Sequence, residues 1–337
     1  MNALLRQTLT KMGLSPEETE SVPITLGQSG SQIYRLTMDK GNNVILKITE
    51  PTKMPEYLTL GYPNIAVSEY KFYTELAPTL AIGVPHVIKH GLLPDNSSFL
   101  LLEDLAPSYF IPPEIHVWST GELESILSAY AVMHGKAQTL FANSGIPKWL
   151  QDDPRSTYSA AETLACLQEL RRNDWTEAQV RPIVSSSKLE VLLQKLGQAL
   201  THVPVTLLFN DFYPPNVAIP RVKGSALLLD WQLAGSGPLH LDLVNIGFLR
   251  QGVAFEQVDR TAMVDFYLDK LAEGIGWSQT REAFLQDYRW ANLLACTDFL
   301  PRFVFAMHKS NTSRVALGKW MNDTFAVCID ELRNVLE

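Results

Sequence analysis

The segment Leu208-Phe209-Asn210-Asp211-Phe212-Tyr213-Pro214-Pro215-Asn216-Val217 is the part of the chain from which its fold can be inferred. Fourteen residues after Asn216, the apolar run 226–229 ends in Asp230. The tandem prolines stiffen the loop and hold Asp211 and Asn216 relative to each other. A buried strand that ends in a carboxylate is costly unless the charge meets a cation. The spacing therefore predicts phosphoryl transfer, with Asp211 orienting a hydroxyl and Asn216 and Asp230 binding Mg²⁺ against nucleotide phosphates.

Upstream of this loop, a turn, a strand lysine and a helix glutamate occur in the order that a nucleotide site requires. In the turn 27–31, residues Gly27, Ser29, Gly30 and Ser31 would let backbone N–H groups approach phosphate oxygens. Lys47, within an apolar strand, is predicted to neutralise the α- and β-phosphates, with Glu69 as its ion-pair partner. Each feature also has a purely structural interpretation. The turn could be an ordinary hairpin, Lys47 a solvent-facing lysine and Glu69 a solvated helix charge.

The periodicity of apolar residues divides the chain into a β-rich and a helical part. We predict an α+β, bilobal fold, with a small antiparallel β lobe over residues 1–104 and a large, mainly helical lobe over residues 105–337. The predicted strands are 23–26, 32–38, 44–48, 84–90 and 99–102. The predicted helices are 65–76, ending before Pro78, and 123–141, 160–171, 189–200, 258–271, 281–307 and 314–336.

The composition is that of a folded protein and narrows the classes of partner. Hydrophobic residues are 46% and charged residues 19% of 337, enough for one large domain or two lobes. No apolar stretch reaches about 18 residues, so no transmembrane helix is expected. The first eleven residues lack the features of a signal peptide, which favours a cytoplasmic protein. The net charge of −8 argues against nucleic acid or an anionic membrane as a partner.

The remaining reactive side chains have structural interpretations. The three cysteines fit neither a disulfide framework nor a zinc pattern, and they are interpreted as buried thiols. His134 is interpreted as a packed or hydrogen-bonded histidine of a helix. Asp242 is interpreted as bracing the catalytic loop or capping the next helix.

Four segments, in order over residues 27–245, carry a resemblance to a known family. They are Gly27-Gln28-Ser29-Gly30-Ser31 through Lys47; Ser68-Glu69-Tyr70-Lys71-Phe72-Tyr73 with Leu100-Leu101-Leu102-Glu103-Asp104-Leu105; Asn210-Asp211 through Asn216; and Leu229-Asp230-Trp231-Gln232 through Pro238 and Asp242-Leu243. Together they resemble the aminoglycoside phosphotransferase and choline-kinase-like superfamily of small-molecule kinases, closest in style to its ecdysteroid-kinase-like branch.

The resemblance implies a protein-kinase-like fold that uses Mg²⁺ and ATP or GTP to phosphorylate a hydroxyl of a small organic molecule, as a monomer or homodimer. The site residues that it implies are Lys47 for the phosphates, Glu69 as its partner, Asp211 as the catalytic base, Asn216 and Asp230 as metal ligands, and the backbone of Glu103 to Leu105 as the hinge that reads the purine edge.

One position departs from the family pattern: Asn210 stands where the family usually has a histidine that braces the loop. Asparagine can still donate and accept hydrogen bonds, so we expect altered bracing and retained activity. Two alternatives remain open at this point. One is a nucleotide-binding regulatory protein with weak catalysis; the other is a protein kinase, which is disfavoured because no Ala-Pro-Glu segment follows Asp242.

Overall fold

The computed structural model describes residues 1–24, 31–38, 41–54, 65–114, 116–153, 155, 159–246, 259–277, 279–309 and 318–337. Its strands are β1 (Glu20–Ile24), β2 (Ser31–Thr37), β3 (Asn43–Thr49), β4 (Val87–Leu92), β5 (Ser98–Glu103), β6 (Tyr109–Phe110), β7 (Val205–Leu208), β8 (Val217–Pro220), β9 (Leu227–Leu228) and β10 (Gly235–Pro238). Its α-helices are α1 (Ala3–Met12), α2 (Ile65–Lys71), α3 (Ala77–Leu80), α4 (Thr120–Ser144), α5 (Ala160–Arg171), α6 (Glu177–Val184), α7 (Leu189–Leu196), α8 (His240–Asn245), α9 (Arg260–Ile275), α10 (Arg281–Lys309) and α11 (Gly318–Leu336).

The chain forms two compact units. The first comprises Met1–Gln151, Thr206–Ser236 and Gln251–Ser278, and the second comprises Asp152–Val205, Gly237–Arg250 and Gln279–Glu337. An antiparallel sheet near the N-terminus and a mainly helical remainder confirm the predicted α+β class. The division into lobes at residue 104 stays a prediction.

The first unit is built on a five-stranded antiparallel sheet of order β1-β2-β3-β5-β4. Helix α1 packs on one face of it, where Leu5 and Leu9 join Leu46 and Ile48 in a buried cluster. Because side chains alternate across a strand, Lys47 on β3 projects to the opposite face. Lys47 therefore points away from the core under α1, although the residues before and after it in β3 are apolar.

Helix α1 was not among the predicted helices. No element was predicted before residue 23, yet Ala3–Met12 is helical. The Asn2 side chain caps the helix at its start by accepting the Leu5 N–H, and Gly13 ends it with a left-handed φ of 76°. The helix is stable because its apolar face covers the sheet. Helix α6, with Pro182 inside it, was also not predicted.

The helix that carries Glu69 continues beyond the predicted end. A π-helical segment, Phe72–Leu76, follows α2, and α3 then contains Pro78 within its first turn. Proline lacks an N–H group and is tolerated there, because the N–H groups of a first helical turn need no partner in the helix. The expectation that the helix ends before Pro78 was therefore wrong.

In the helical portion of the first unit, α4 and α9 pack closely together. A Cβ atom at Gly135 would lie 2.8 Å from Ile275 Cγ2, so the close approach requires glycine. At the adjacent residue of α4, His134 Nδ1 and Tyr267 Oη form a buried hydrogen bond of 2.7 Å. The interpretation of His134 as a packed, hydrogen-bonded residue is confirmed.

The second unit consists of α5, α6, α7, α8, α10 and α11. Within it the buried Arg155 forms a two-bond ion pair with Asp153 and donates to the Leu241 carbonyl and the Asn245 amide oxygen. Asp242 lies buried in the first turn of α8, whose N-cap is Leu239, so Asp242 is not the cap residue. No helix in the described part of the chain is long and apolar enough to cross a membrane.

Candidate active site

The predicted lysine and glutamate lie in contact in the first compact unit. Lys47 Nζ lies 2.9 Å from Glu69 Oε1 and 2.8 Å from Glu69 Oε2. It also lies 2.9 Å from Asp230 Oδ1, so one ammonium bridges two carboxylates. Lys47 is only 5% exposed, which excludes the reading of a solvent-facing lysine. Residues 47, 69 and 230, distant in sequence, form one ionic cluster.

Burial and charge set the ionisation of this cluster. Burial alone would lower the pKa of Lys47, but the carboxylates of Asp230 and Glu69 outweigh it and raise that pKa above its usual value. Burial raises the pKa of Glu69 to about 7, although Lys47 opposes the rise. The ammonium of Lys47 therefore stays charged while its glutamate partner resists ionisation.

The catalytic loop follows β7 and is held by Asn216. The Asn216 amide nitrogen donates to Asp211 Oδ2 at 2.8 Å and to the Asp211 carbonyl at 3.2 Å. The Leu229 N–H donates to the Asn216 carbonyl at 2.8 Å, which joins this loop to the segment carrying Asp230. Pro214–Asn216 forms a turn of 3-10 helix, as the stiffening role of the prolines requires.

The Asp211 carboxylate lies among protein atoms, with the carboxylates of Asp230 and Glu69 as neighbours of the same charge. Burial raises the pKa of Asp211 to about 7, Asp230 adds to the rise, and Lys47 opposes it. The hydrogen bond from Asn216 favours the ionised form. Asn216 therefore orients Asp211 through its amide nitrogen, and this contact does not use the Asn216 amide oxygen.

The donor set at this site fits a magnesium ion. Magnesium prefers oxygen ligands and is usually held by one or two protein groups together with substrate phosphates and water. The Asp230 carboxylate and the Asn216 amide oxygen are such ligands, on two segments that the Leu229–Asn216 hydrogen bond joins. These two residues would hold the ion.

Asn210 braces the catalytic loop through both its backbone and its side chain. Its φ of 65° lies in the left-handed region, which asparagine tolerates better than most residues. Its amide nitrogen donates to the Leu233 carbonyl at 3.1 Å, three residues beyond Asp230. The residue in the usual histidine position therefore connects this loop to the segment that carries Asp230.

Trp231 and Gln232, which follow Asp230, had no predicted role, and both connect this segment to other residues of the candidate site. Trp231 is fully buried, stacks on Phe72 with ring centroids 3.7 Å apart, and donates its backbone N–H to Glu69 Oε1 at 3.3 Å. Gln232 Nε2 donates to Ser31 Oγ at 2.6 Å. The only signals of these contacts in the sequence are the size of Trp231 and the polarity of Gln232. Their partners lie far away in the chain, so the sequence does not identify them.

Ser31 is the one member of the predicted phosphate-binding turn that the structure describes. Its hydroxyl lies 3.1 Å from Thr49 Oγ1, in addition to its bond from Gln232. Gly27, Ser29 and Gly30 lie outside the described residues. The role of the turn stays a prediction.

The predicted hinge lies at the end of β5. Glu103 pairs with Val44 in the sheet, and its carboxylate accepts the His86 N–H at 2.7 Å. Leu105 is buried, and its carbonyl accepts the N–H groups of Ser108 and Tyr109. That carbonyl is therefore occupied by a turn, and the role of this segment in reading a purine stays a prediction.

Between these two hinge positions lies an ion pair that sequence reasoning did not predict. Arg35 Nε donates to Asp104 Oδ2 at 2.9 Å, which ties β2 to the hinge. Asp104 Oδ1 also accepts the Ala106 N–H at 3.1 Å. The hinge is thus held from the strand that follows the glycine-containing turn.

Aromatic side chains lie beside the catalytic loop. Phe212 packs on Trp118 with centroids 5.5 Å apart, and Trp118 packs on His116 at 4.8 Å. Tyr213 is 38% exposed, and burial together with the Glu114 carboxylate raises its pKa. This aromatic cluster next to Asp211 comes from the segment before α4.

Comparison with known proteins agrees with the fold. The family model described as "Phosphotransferase enzyme family" (APH) matches residues 21–283. Among curated protein sequences, none matches the chain.

Three solved structures illustrate the similarity. Aminoglycoside 2'-phosphotransferase-IIIa, bound to GDP, has a TM-score of 0.60 at 10% identity and covers 99% of this chain and 100% of its own. Amicoumacin kinase hAmiN, bound to AMP-PNP, Ca²⁺ and Ami, has a TM-score of 0.57 at 15% identity, covering 99% and 94%. Macrolide 2'-phosphotransferase MphH from Brachybacterium faecium has a TM-score of 0.53 at 15% identity, covering 93% and 95%.

At these identities the three structures show the shared fold. The family model spans well over half of the chain and includes every residue of the candidate site. The resemblance inferred from the motifs is confirmed: the chain belongs to the phosphotransferase enzyme family, APH, and is a small-molecule kinase.

Proposed function

We propose that the protein transfers the γ-phosphate of ATP or GTP to a hydroxyl of a small organic molecule, with Asp211 as general base and Mg²⁺ held by Asn216 and Asp230. The observation that carries the proposal is the joining of the Lys47–Glu69–Asp230 cluster to the Asp211–Asn216 pair within one compact unit. Phosphoryl transfer needs little covalent help from the protein, and such fixed charges supply positioning and electrostatic stabilisation.

The residues divide the reaction between them. Lys47 would contact the α- and β-phosphates, with Glu69 holding its ammonium in place. Asp211 would orient the acceptor hydroxyl and accept its proton as the oxygen bonds to the γ-phosphorus and the bond to the β–γ bridging oxygen breaks, releasing the nucleoside diphosphate. When bound, Mg²⁺ neutralises phosphate charge.

The nucleotide preference is left open between ATP and GTP. Amicoumacin kinase hAmiN binds an ATP analogue and the 2'-phosphotransferase-IIIa binds GDP, so the shared fold accepts either purine. The backbone of Glu103 to Leu105 is proposed as the reader of that purine. We also propose the cytoplasm, where nucleotides and Mg²⁺ are abundant, as the compartment in which the protein acts.

A mass-spectrometric acceptor screen tests the function. The protein is incubated with Mg²⁺, ATP or GTP and pools of hydroxyl-bearing antibiotics, other natural products, sterol-like alcohols and metabolites. The expected result is the gain of one phosphate by an acceptor, with Asp211→Asn as the inactive control. The proposal fails if the protein binds neither nucleotide in a thermal-shift titration. If it binds but phosphorylates no pool above the Asp211→Asn background, a regulatory nucleotide-binding role is favoured instead.

A further inference from the structure

The two faces of the five-stranded sheet are covered differently. The pairing of Ile33 with Lys47 places both side chains on the face opposite α1, because directly paired residues of neighbouring strands share a face. Two residues further along β2, Arg35 pairs with Ile45 and lies on this same face. Ile33, Arg35 and Ile45 are half-buried, whereas the apolar side chains of β3 under α1 are buried. The face that carries Lys47 therefore has a partly exposed apolar surface in the described part of the chain.

This surface extends from the proposed phosphate contact to the proposed hinge. Along β3, Lys47 pairs with Leu100 of β5, and Val44 pairs with Glu103. Three residues of an extended strand span about 10 Å, which separates the lysine from the hinge. Ile45 lies between these two ends. A nucleotide with its phosphates at Lys47 and its purine at the hinge would therefore lay its base against the sheet beside Ile45.

The side chain of Arg35 crosses this surface at its hinge end. Arg35 on β2 pairs with Ile45 on β3, and Ile45 pairs with Leu102 on β5, so the three residues form one row across the sheet. Arg35 Nε donates to Oδ2 of Asp104, two residues beyond Leu102, at 2.9 Å. Because β3 lies between β2 and β5, two strand spacings of about 10 Å separate the strands that carry the partners. The arginine side chain therefore extends over β3, and its guanidinium lies beside the hinge.

The ion pair with Asp104 leaves part of the guanidinium available to a ligand. Asp104 is itself held in place, because its Oδ1 accepts the Ala106 N–H at 3.1 Å and its side chain is only 9% exposed. The Arg35 side chain is 42% exposed, and among the described residues its Nη1 and Nη2 atoms have no hydrogen-bond partner. An arginine that an ion pair already orders loses less conformational entropy when it contacts a ligand.

We propose that Arg35 is a purine-binding residue whose guanidinium packs against the face of the nucleotide base, and that Asp104 positions it. This role rests on the proposed function, because it requires a nucleotide in the site. The guanidinium plane stacks on aromatic rings and is attracted to their π-electrons. Every base has a π-face, so the contact strengthens the binding of adenine and guanine nucleotides alike.

Calorimetric titrations with Mg-AMP-PNP, Mg-GMP-PNP and Mg-tripolyphosphate test this role, since the last probe lacks a base. Arg35→Leu is compared with the wild type and with Arg6→Leu, which removes the same charge from α1 on the other face of the sheet. We expect Arg35→Leu to raise the Kd of both nucleotides about tenfold and to change that of tripolyphosphate less than about twofold. Arg6→Leu should leave all three values unchanged. Arg35→Gln takes the place of Arg35→Leu if the latter does not fold.

The positioning role of Asp104 is tested in the same titrations. Asp104→Asn should raise the Kd of both nucleotides about threefold in the wild-type background and have no further effect in Arg35→Leu, because the two residues act through one contact. An unchanged Kd in Asp104→Asn would refute this positioning role.

Three results would overturn the contact between Arg35 and the base. They are unchanged nucleotide Kd values in Arg35→Leu, an equal rise for tripolyphosphate, which would indicate an effect of charge alone, and clearly different factors for the two nucleotides, which would indicate a contact with the purine edge. In each case nucleotide still binds to the wild type and the proposed function stands. A wild-type protein that binds neither nucleotide would overturn the proposed function and the role of Arg35 together.

Discussion

Because Lys47 bridges two carboxylates, we expect Lys47→Met and Glu69→Gln to lower the free energy of unfolding by different amounts. Removing one partner of a buried ion pair typically costs about 3–5 kcal/mol because the other charge is left uncompensated. Lys47→Met leaves Glu69 and Asp230 without their shared cation, so it should reach that range. Glu69→Gln leaves Lys47 paired with Asp230 at 2.9 Å and keeps an oxygen for the Trp231 N–H, so about 1 kcal/mol or less is expected. The difference between the variants should be about 2–4 kcal/mol.

The pH dependence gives a second readout of the same asymmetry. The pKa of Glu69 is raised from 4.5 to about 7 in the folded state, so folding favours its protonated form. Its contribution to stability is therefore fully present below about pH 4.5 and is lost as pH rises through 7, a change of about 3 kcal/mol. Glu69→Gln lacks this loss, so its stability relative to wild type should improve by about that amount between pH 4.5 and pH 8.

Equilibrium urea unfolding followed by tryptophan fluorescence measures both effects, in buffers containing EDTA at pH 5, 6, 7 and 8. Lys47→Met and Glu69→Gln are compared with the wild type in the same titrations. Equal destabilisation by the two variants would refute the bridging interpretation. A constant difference between Glu69→Gln and wild type across these pH values would refute the raised pKa of Glu69.

Three further predictions concern the loop, the turn and a thiol. Asn210→Ala should lower the unfolding free energy by about 1 kcal/mol more than Asn210→Gly. Both variants lose the bond to Leu233, but of alanine and glycine only glycine adopts the φ of 65° without strain. Equal unfolding free energies of the two variants in urea would contradict this prediction. Gln232→Leu should raise the nucleotide KM about tenfold with a smaller effect on kcat, because it loses the bond that Gln232 donates to Ser31. Ser31→Ala, which removes the acceptor of the same bond, should raise KM by a similar factor in steady-state assays, and an unchanged KM in Gln232→Leu would count against the role. Cys166 should react with dithiodipyridine at pH 8 about 10² more slowly than a free thiol, because burial and nearby carboxylates raise its pKa from 9.0 to about 11. The difference between the wild type and Cys166→Ser isolates the signal of this thiol. A reaction at the free-thiol rate would contradict the raised pKa.

The sequence predicts the elements of the site better than their bracing. Phosphoryl transfer restricts which residue types can follow one another at the catalytic and metal-binding segments, so Lys47, Glu69, Asp211, Asn216 and Asp230 could be named from order and spacing. The contact between Lys47 and Glu69 is present. Their chemical roles stay predictions until nucleotide is bound.

The parts that escaped prediction depend on tertiary contacts. The stacking of Trp231 on Phe72 joins segments far apart in the sequence, and no local pattern encodes such a pair. The left-handed backbone of Asn210 is compatible with asparagine but not required by it. Helix α1 carried readable signals, Asn2 and Gly13 as caps, but its ten residues are too few to predict a stable helix without the sheet beneath them.

The central claim is that Asp211 acts as the base while the nucleotide is held by other residues. The most direct test compares Asp211→Asn with the wild type in turnover of the acceptor found by the screen and in the Kd of Mg-ATP or Mg-GTP. We expect turnover to fall by about 10² or more while the nucleotide Kd changes less than about threefold. Turnover close to that of the wild type would contradict it.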